Sequence, residues 1–159
     1  MASLDDLDLR ILGALEENAR IAVSELARRL DAPGSTIRDR IRSLEERGVI
    51  LGYETRIDAQ KLGLGIKAII QVTRDQSVSL EDFGAEPDQF PEITKVQLLT
   101  GETDEFVTIY ARDVDHLREI IYDKVGALPG LTRSNTAIVL EEDRFPLLRR
   151  FLPDSANER

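Results

Sequence analysis

The sequence predicts an α+β chain in two modules, and three observations carry that reading. Apolar residues recur at helical spacing over residues 4–50. The period shortens to that of strands beyond about residue 65, and a Gly-containing link, "DAQKLGLG", separates the two regimes. The boundaries follow as 1–52 for a helical module, 53–64 for a linker or connecting strand, 65–145 for a second module and 146–159 for a tail. A chain of 159 residues is long enough for one large core or two small ones.

In "LDDLDLRILGALEEN" the residues Leu4, Leu7, Ile11, Leu12 and Leu15 share one helical face. Asp5, Asp6 and Asp8 stand where the N-terminal dipole favours acids, a helix start and not a metal cluster. "VSELARRL" repeats the pattern over two turns, with Val23, Leu26, Ala27 and Leu30 inward. "DAPG" breaks the chain. A third helix over 34–46 follows, placing Ile37, Ile41 and Leu44 inward, and Gly48 ends it. Pro33 at its entrance either starts the helix or leaves Ser35 to cap it. "VILGYETRI" is extended. Three short helices followed by a strand pair outline a winged helix-turn-helix.

The second module begins with "IKAIIQVTR", a β-branched strand. "SLEDFGAEPDQF" is weakly helical and interrupted by Pro87, and "ITKVQLLTG" and "DEFVTIYAR" are strands joined by a tight polar turn. "DVDHLREIIYDKVGAL" is an amphipathic helix with Asp113 as N-cap, Val114, Leu117, Ile120, Ile121 and Val125 on one face, and His116 exposed. "LTRSNTAIVLEE" closes as a strand whose acidic end, Glu141 to Asp143, is solvated, and "DSANER" is a frayed tail. The order β-α-β-β-α-β is ferredoxin-like.

Composition excludes several classes of function. The chain has no Cys and a single His, which removes disulfides, thiolate metal sites and cysteine nucleophiles and leaves little for zinc or a histidine base. No apolar run reaches the roughly 18–20 residues that span a bilayer, and the N-terminus carries acids where a signal peptide carries basic residues. The expected location is the cytoplasm, with no membrane partner. No catalytic set, metal site or cofactor site can be nominated, so the chain reads as a non-enzyme. Seventeen Arg against four Lys, with thirty acids, is a composition associated with salt-loving organisms, and an archaeal halophile is the expected source.

Net charge is −9, which argues against phosphate binding by the molecule as a whole. Binding is local, however. Residues 33–43 hold Arg38, Arg40 and Arg42 against the single Asp39. At about 100° per residue, Ser35, Asp39, Arg42, Ser43 and Glu46 point most nearly outward. Arg38 lies on one flank; Thr36, Arg40 and Arg47 line the other. Taken alone, this is a solvated face with weak exposed pairs. Between "SELARRL" and "GVILGY" it has the layout of a recognition helix, whose N-terminal residues meet base edges in the major groove. Ser35, Thr36, Arg38, Asp39, Arg40, Arg42 and Ser43 are the candidate DNA-binding residues.

The span "LDDLDLRILGALEENARIAVSELARRLDAPGSTIRDRIRSLEERGVILGY" resembles the DNA-binding half of the Lrp/AsnC, or feast/famine, transcription regulators. "VQLLTGETDEFVTIYARD" resembles that family's TGxxD turn between two strands, and "ALPGLTRSNTAIVL" its Pro-Gly and final strand. The likeness covers nearly the whole chain in order. It departs at Ala32-Pro33, where the family has a Leu-Ser pair, and in the Pro- and Gly-rich segment before residue 93. The resemblance implies a dimer formed through the sheet of the second module, further assembly to octamers, and a small effector, commonly an amino acid, bound between dimers. Carried over by position, it implicates Thr100, Gly101, Glu102, Thr103 and Asp104, and more weakly Thr132, Ser134 and Thr136. The physics allows it: a Gly turn exposes N–H groups able to hold a carboxylate, and Asp104 could pair with an ammonium group. The same turn also reads as purely structural, with Asp bonding its own backbone. Both readings stay open here.

Two functions follow. The first is a sequence-specific regulator that binds double-stranded operator DNA as a homodimer or larger assembly. The alternative is an effector-binding assembly protein whose winged module is vestigial.

Overall fold

A computed structural model of the chain describes residues 4–75, 77 and 90–150. The chain divides into two units: one runs to Arg56 and resumes from Asp143, and the other is Ile57–Glu142.

In the first unit α1 is Asp6–Glu17, α2 is Val23–Leu30 and α3 is Gly34–Glu46. Asp5 caps α1, and Asp5 and Asp8 form a reciprocal capping box. The core is Ile11, Leu26, Ile37 and Leu44, all fully buried, with Leu4, Leu7, Leu12, Leu15, Val23, Leu30 and Ile41 packed around them. The α2–α3 turn depends on Asp31 at φ +50°, a left-handed conformation that Asp tolerates. Pro33 takes the N-cap position of α3 with φ −59° and ψ 139°, and no side chain caps that helix.

The strand pair anticipated after α3 is absent. Residues 51–58 carry no regular structure, and Leu51, Tyr53 and Ile57 are exposed. A lone extended run has no ladder partner, and this segment lacks the turn that would supply one within the chain. Tyr53 anchors it by donating its hydroxyl hydrogen to Glu45 Oε1 at 2.8 Å. Residues 147–150, in the stretch read as tail, form a 3₁₀ turn whose Leu147 and Leu148 N–H groups donate to the Glu16 carboxylate. The frayed segment "DSANER" lies outside the described residues.

The second unit has strands β1 (Ile66–Arg74), β2 (Ile93–Leu98), β3 (Glu105–Ala111) and β4 (Leu131–Ile138), and helix α4 (Val114–Glu119). The sheet order is β2-β3-β1-β4, every pair antiparallel, which is the ferredoxin-like arrangement. The weak helix read in "SLEDFGAEPDQF" lies outside the described residues but for Phe90. Ala68, Ile70 and Val72 from β1 and Val107, Ile109 and Ala111 from β3 share the buried face. Leu117, Ile120 and Val125 cover them.

The covering segment is not one regular helix. After α4 come a π turn, Ile120–Lys124, and a 3₁₀ turn, Val125–Ala127. Ile120 and Val125 are both buried yet would stand about 140° apart on a continuous α-helix. The wider turn, with its i→i+5 bonding, brings residues five apart closer to one face. Val114, expected inward, is 66% exposed, since the segment begins to bury only at His116 and Leu117.

His116 corrects the sequence reading: it is buried. Its Nδ1 accepts the Arg112 N–H at 3.2 Å, which assigns the ring proton to Nε2, 3.4 Å from Glu92 Oε1. Lys124 Nζ donates to the same Glu92 oxygen at 2.6 Å. Burial acts to raise the Glu92 carboxyl, but these hydrogen bonds outweigh it and hold the group below its ordinary range. Asp113 caps α4 as anticipated, accepting the His116 N–H.

Candidate nucleic-acid interface and effector pocket

On α3, Ser35, Arg38, Asp39 and Arg42 are exposed, while Thr36, Arg40 and Ser43 are half-buried. Among the described residues neither Arg38 nor Arg42 is ion-paired. Arg40 differs, because its Nη1 donates to Asp5 Oδ2 at 2.6 Å and to Asp8 Oδ1 at 3.1 Å on α1. The structure therefore separates Arg40 from the outward group with which the sequence reading placed it. The Asp8 N–H, with Arg40 beside it, holds the Asp5 carboxyl below its ordinary range. On α2, Glu25 takes hydrogen bonds from Arg28 and Arg29, and these lower its carboxyl too. Those two arginines are thus partly neutralised, and the strongest unpaired positive charge on α3 is the Arg38–Arg42 pair.

In the second unit the turn 99–104 closes through the Leu99 N–H donating to the Asp104 carbonyl at 2.8 Å, with Gly101 at φ +132°. Asp104 is tied to β1 on two sides: its N–H donates to the Val72 carbonyl, and its Oδ2 accepts the Arg74 N–H at 2.9 Å. The carboxylate thus bonds a neighbouring strand instead of its own backbone.

Beside this turn lies a shallow cavity of about 150 Å³ lined by Gln71, Thr73, Glu102, Thr103, Arg133 and Asn135. Strand register explains the set. Gln71 is opposite Asn135 and Thr73 opposite Arg133, so these four side chains share the sheet face away from α4. Of the eight effector candidates, Glu102 and Thr103 line the cavity. Thr100, Gly101 and Asp104 belong to the turn behind them. Ser134 and Thr136 have the opposite parity on β4, while Thr132 sits at the register shift beside Thr73, its Oγ1 donating to the Thr73 carbonyl at 2.9 Å. Gln71, Thr73, Arg133 and Asn135 were missed; pairing the first and last strands in register is the signal that finds them. Glu102 and Arg133 give the cavity one charge of each sign, and Gln71, Asn135 and the threonines give it neutral hydrogen-bonding groups.

Among the described residues no group of three His, Asp or Glu side chains could hold a metal, and no helix is long and apolar enough to cross a membrane.

Comparisons with known proteins agree with this layout. Residues 4–50 match the winged helix-turn-helix DNA-binding family, and residues 67–145 match the Lrp/AsnC ligand binding domain. The chain is 35% identical over 143 residues to the HTH-type transcriptional regulator AldR of Mycolicibacterium smegmatis, covering 89% of this chain and 84% of that one. It is 34% identical to LrpA of Pyrococcus horikoshii, covering 87% and 98%. Among solved structures, a Neisseria meningitidis transcriptional regulator in complex with L-Met superposes with a TM-score of 0.84 at 27% identity, covering 98% of this chain and all of that one. Escherichia coli AsnC superposes with a TM-score of 0.76 at 27% identity, covering 90% and 96%.

Proposed function

The chain belongs to the Lrp/AsnC family of DNA-binding transcriptional regulators, not to an enzyme class, and from that premise we propose how it reads DNA and what it senses. The outward arc of α3 enters the major groove, with Arg38 and Arg42 donating to guanine edges and Ser35 and Asp39 meeting neighbouring bases. The observation that carries this is the exposure of two arginines with no ion pair among the described residues, on a helix whose N-terminal half holds only one acid. Two copies, joined through the open sheet face of the second unit, present two such helices to half-sites about one helical turn apart. Pairs of dimers assemble further, toward an octamer. The protein acts in the cytoplasm, and its Arg-rich, acid-rich composition suits a salty one, as in an archaeal halophile.

The effector is an amino acid held in the cavity beside the 99–104 turn, its carboxylate on Arg133 and its ammonium on Glu102. Support comes from the opposite charges on the cavity wall and from the relative crystallised with L-Met. Selection of duplexes from a random-sequence pool tests the DNA reading: enrichment of a palindromic motif is expected, and no enrichment at any salt refutes it. A thermal-shift screen of the amino acids tests the effector reading. One or a few should raise the melting temperature of wild type but not of Arg133→Ala.

A further inference from the structure

Arg40 is flanked in sequence by the outward-facing Asp39 and the core residue Ile41, and its side chain turns to α1. Its Nη1 bonds Asp5 Oδ2 at 2.6 Å and Asp8 Oδ1 at 3.1 Å. The same two carboxylates close the capping box of α1. Asp5 Oδ1 accepts the Asp8 N–H at 2.9 Å, and Asp8 Oδ2 accepts the Asp5 N–H at 3.3 Å. Each carboxylate therefore gives one oxygen to the box and the other to Arg40. A capping box ordinarily joins a hydroxyl to a single acid. Here it sets two carboxylates side by side, and Asp8 is only 1% exposed. Like charges so placed, one of them buried, need a cation. The third helix supplies it across 32 and 35 residues of sequence.

We propose that Arg40 is a positioning residue for DNA recognition: it completes the two-acid capping box of α1, thereby fixes the rotation of α3 about its own axis, and reads no base. The inference rests on α3 being the recognition helix. Arg38, Arg42, Ser35 and Asp39 fill an arc of about 100° on that helix, and Arg40 stands about 150° from the arc's centre. A tie on the back of the helix therefore sets which side chains its front presents. A rotation of a few tens of degrees would carry Arg38 or Asp39 out of reach of the base edges they face, so specific binding depends on the tie while general attraction to phosphate does not.

The test uses the full chain, a duplex that the wild-type protein enriches from a random pool, and a scrambled duplex of the same length. Arg40→Ala should weaken binding to the enriched duplex about tenfold or more. It should leave the scrambled duplex and the salt slope unchanged, and relax preference across the whole half-site together. Asp8→Asn, whose buried side chain cannot reach DNA, should reproduce that phenotype. The double variant should be no worse than the weaker single one. Arg40→Lys should restore most of the affinity, since an ammonium can still pair with the two acids. Each variant is assayed well below its own melting temperature. If Asp8→Asn does not fold, Asp5→Asn takes its place.

Three results would overturn the proposal. One is a change of preference at a single base pair in Arg40→Ala, the mark of a base reader. Another is weaker binding to both duplexes with a salt slope smaller by about 1, the mark of a phosphate contact. The third is wild-type binding by the acid variants. If wild type enriches no duplex, the recognition-helix reading fails first and the proposal falls with it. An enriched duplex that Arg40→Ala binds normally overturns the proposal alone.

Discussion

Asp104 separates the two readings that the TGxxD turn left open. Its Oδ2 accepts the Arg74 N–H at 2.9 Å, holding the end of β1 to the turn between β2 and β3. Replacing Asp104 by Ala leaves that partly buried donor without its acceptor. A hydrogen bond to a charged group contributes about 1.5–3 kcal/mol. For a module of this size each kcal/mol moves the melting temperature by roughly 4–8 °C, so Asp104→Ala should melt about 6–24 °C lower. Asp104→Asn keeps an amide oxygen at the same place and should lose about half as much, because a neutral bond contributes about 0.5–1.5 kcal/mol. Calorimetry of the full chain, with and without the amino acid that stabilises wild type, reads both quantities. Since Glu102, and not Asp104, lines the cavity, Asp104→Asn should retain the amino-acid response and Glu102→Gln should lose it. A melting temperature for Asp104→Ala within about 2 °C of wild type would refute the structural tie. Loss of the response in Asp104→Asn would make Asp104 the ammonium ligand and the turn reading wrong.

Arg38→Ala and Arg42→Ala should each cost about 1–3 kcal/mol of operator affinity and relax preference at one position; if competition binding finds both unchanged, α3 is misplaced as the reader. Gly34→Ala should raise the stability of the first unit by about 0.4–1 kcal/mol in chemical denaturation, because the added Cβ meets only Val23 Cγ1 at 3.9 Å and the backbone is not left-handed. A loss instead would show that α3 needs a glycine at its start. Burial pushes the Glu105 carboxyl above its ordinary range despite the nearby Arg74. The fold therefore favours its protonated form, and stability falls as pH rises from the ordinary glutamate range through the raised folded value. Glu105→Gln should gain melting temperature over wild type at pH 7 and lose that advantage near pH 4; the reverse order would contradict the shift.

The helical module was readable because its signals are local. Leu4, Leu7, Ile11 and Leu15 recur at a spacing that burial enforces, and α3 begins and ends within "GSTIRDRIRSLEE" as the spacing predicts. What escaped reading depends on partners far along the chain. Amphipathicity gives Val114 and His116 a direction but not a neighbour: Val114 faces solvent, and His116 is buried with its ring against Glu92, 24 residues earlier. The π turn answers to the sheet beneath Ile120 and Val125, which no local pattern encodes. On β4 the alternation of side chains is plain, but which parity faces the cavity is set by the register of Asn135 on Gln71. Arg40 is the sharpest case. Helical projection put it on a flank, and only the fold brings it to two carboxylates of α1.

That placement bears on how so acidic a chain holds DNA. Arg10 lies 3.9 Å from Asp6, Arg28 and Arg29 share Glu25, and Arg40 is held by Asp5 and Asp8. The arginines of the three helices are thus largely committed within the unit. Among the described residues Arg38 and Arg42 stand out as exposed and without ion pairs, and both lie on the arc that would face bases. On the three helices few cations remain for phosphates alone. Each neutralised phosphate contributes about 0.9 to the slope of log affinity against log salt. If the α3 arginines alone met phosphates, the proposed dimer, offering two per copy, should therefore show a slope no steeper than about 4. Titration of the enriched duplex from low to high salt measures it. A slope steeper than about 5, the mark of six or more phosphate contacts, would mean that cations beyond Arg38 and Arg42, such as Arg20, Arg56 or the ion-paired arginines, meet phosphates. A shallow slope makes base contacts and DNA shape the main source of affinity, and those terms survive at high salt.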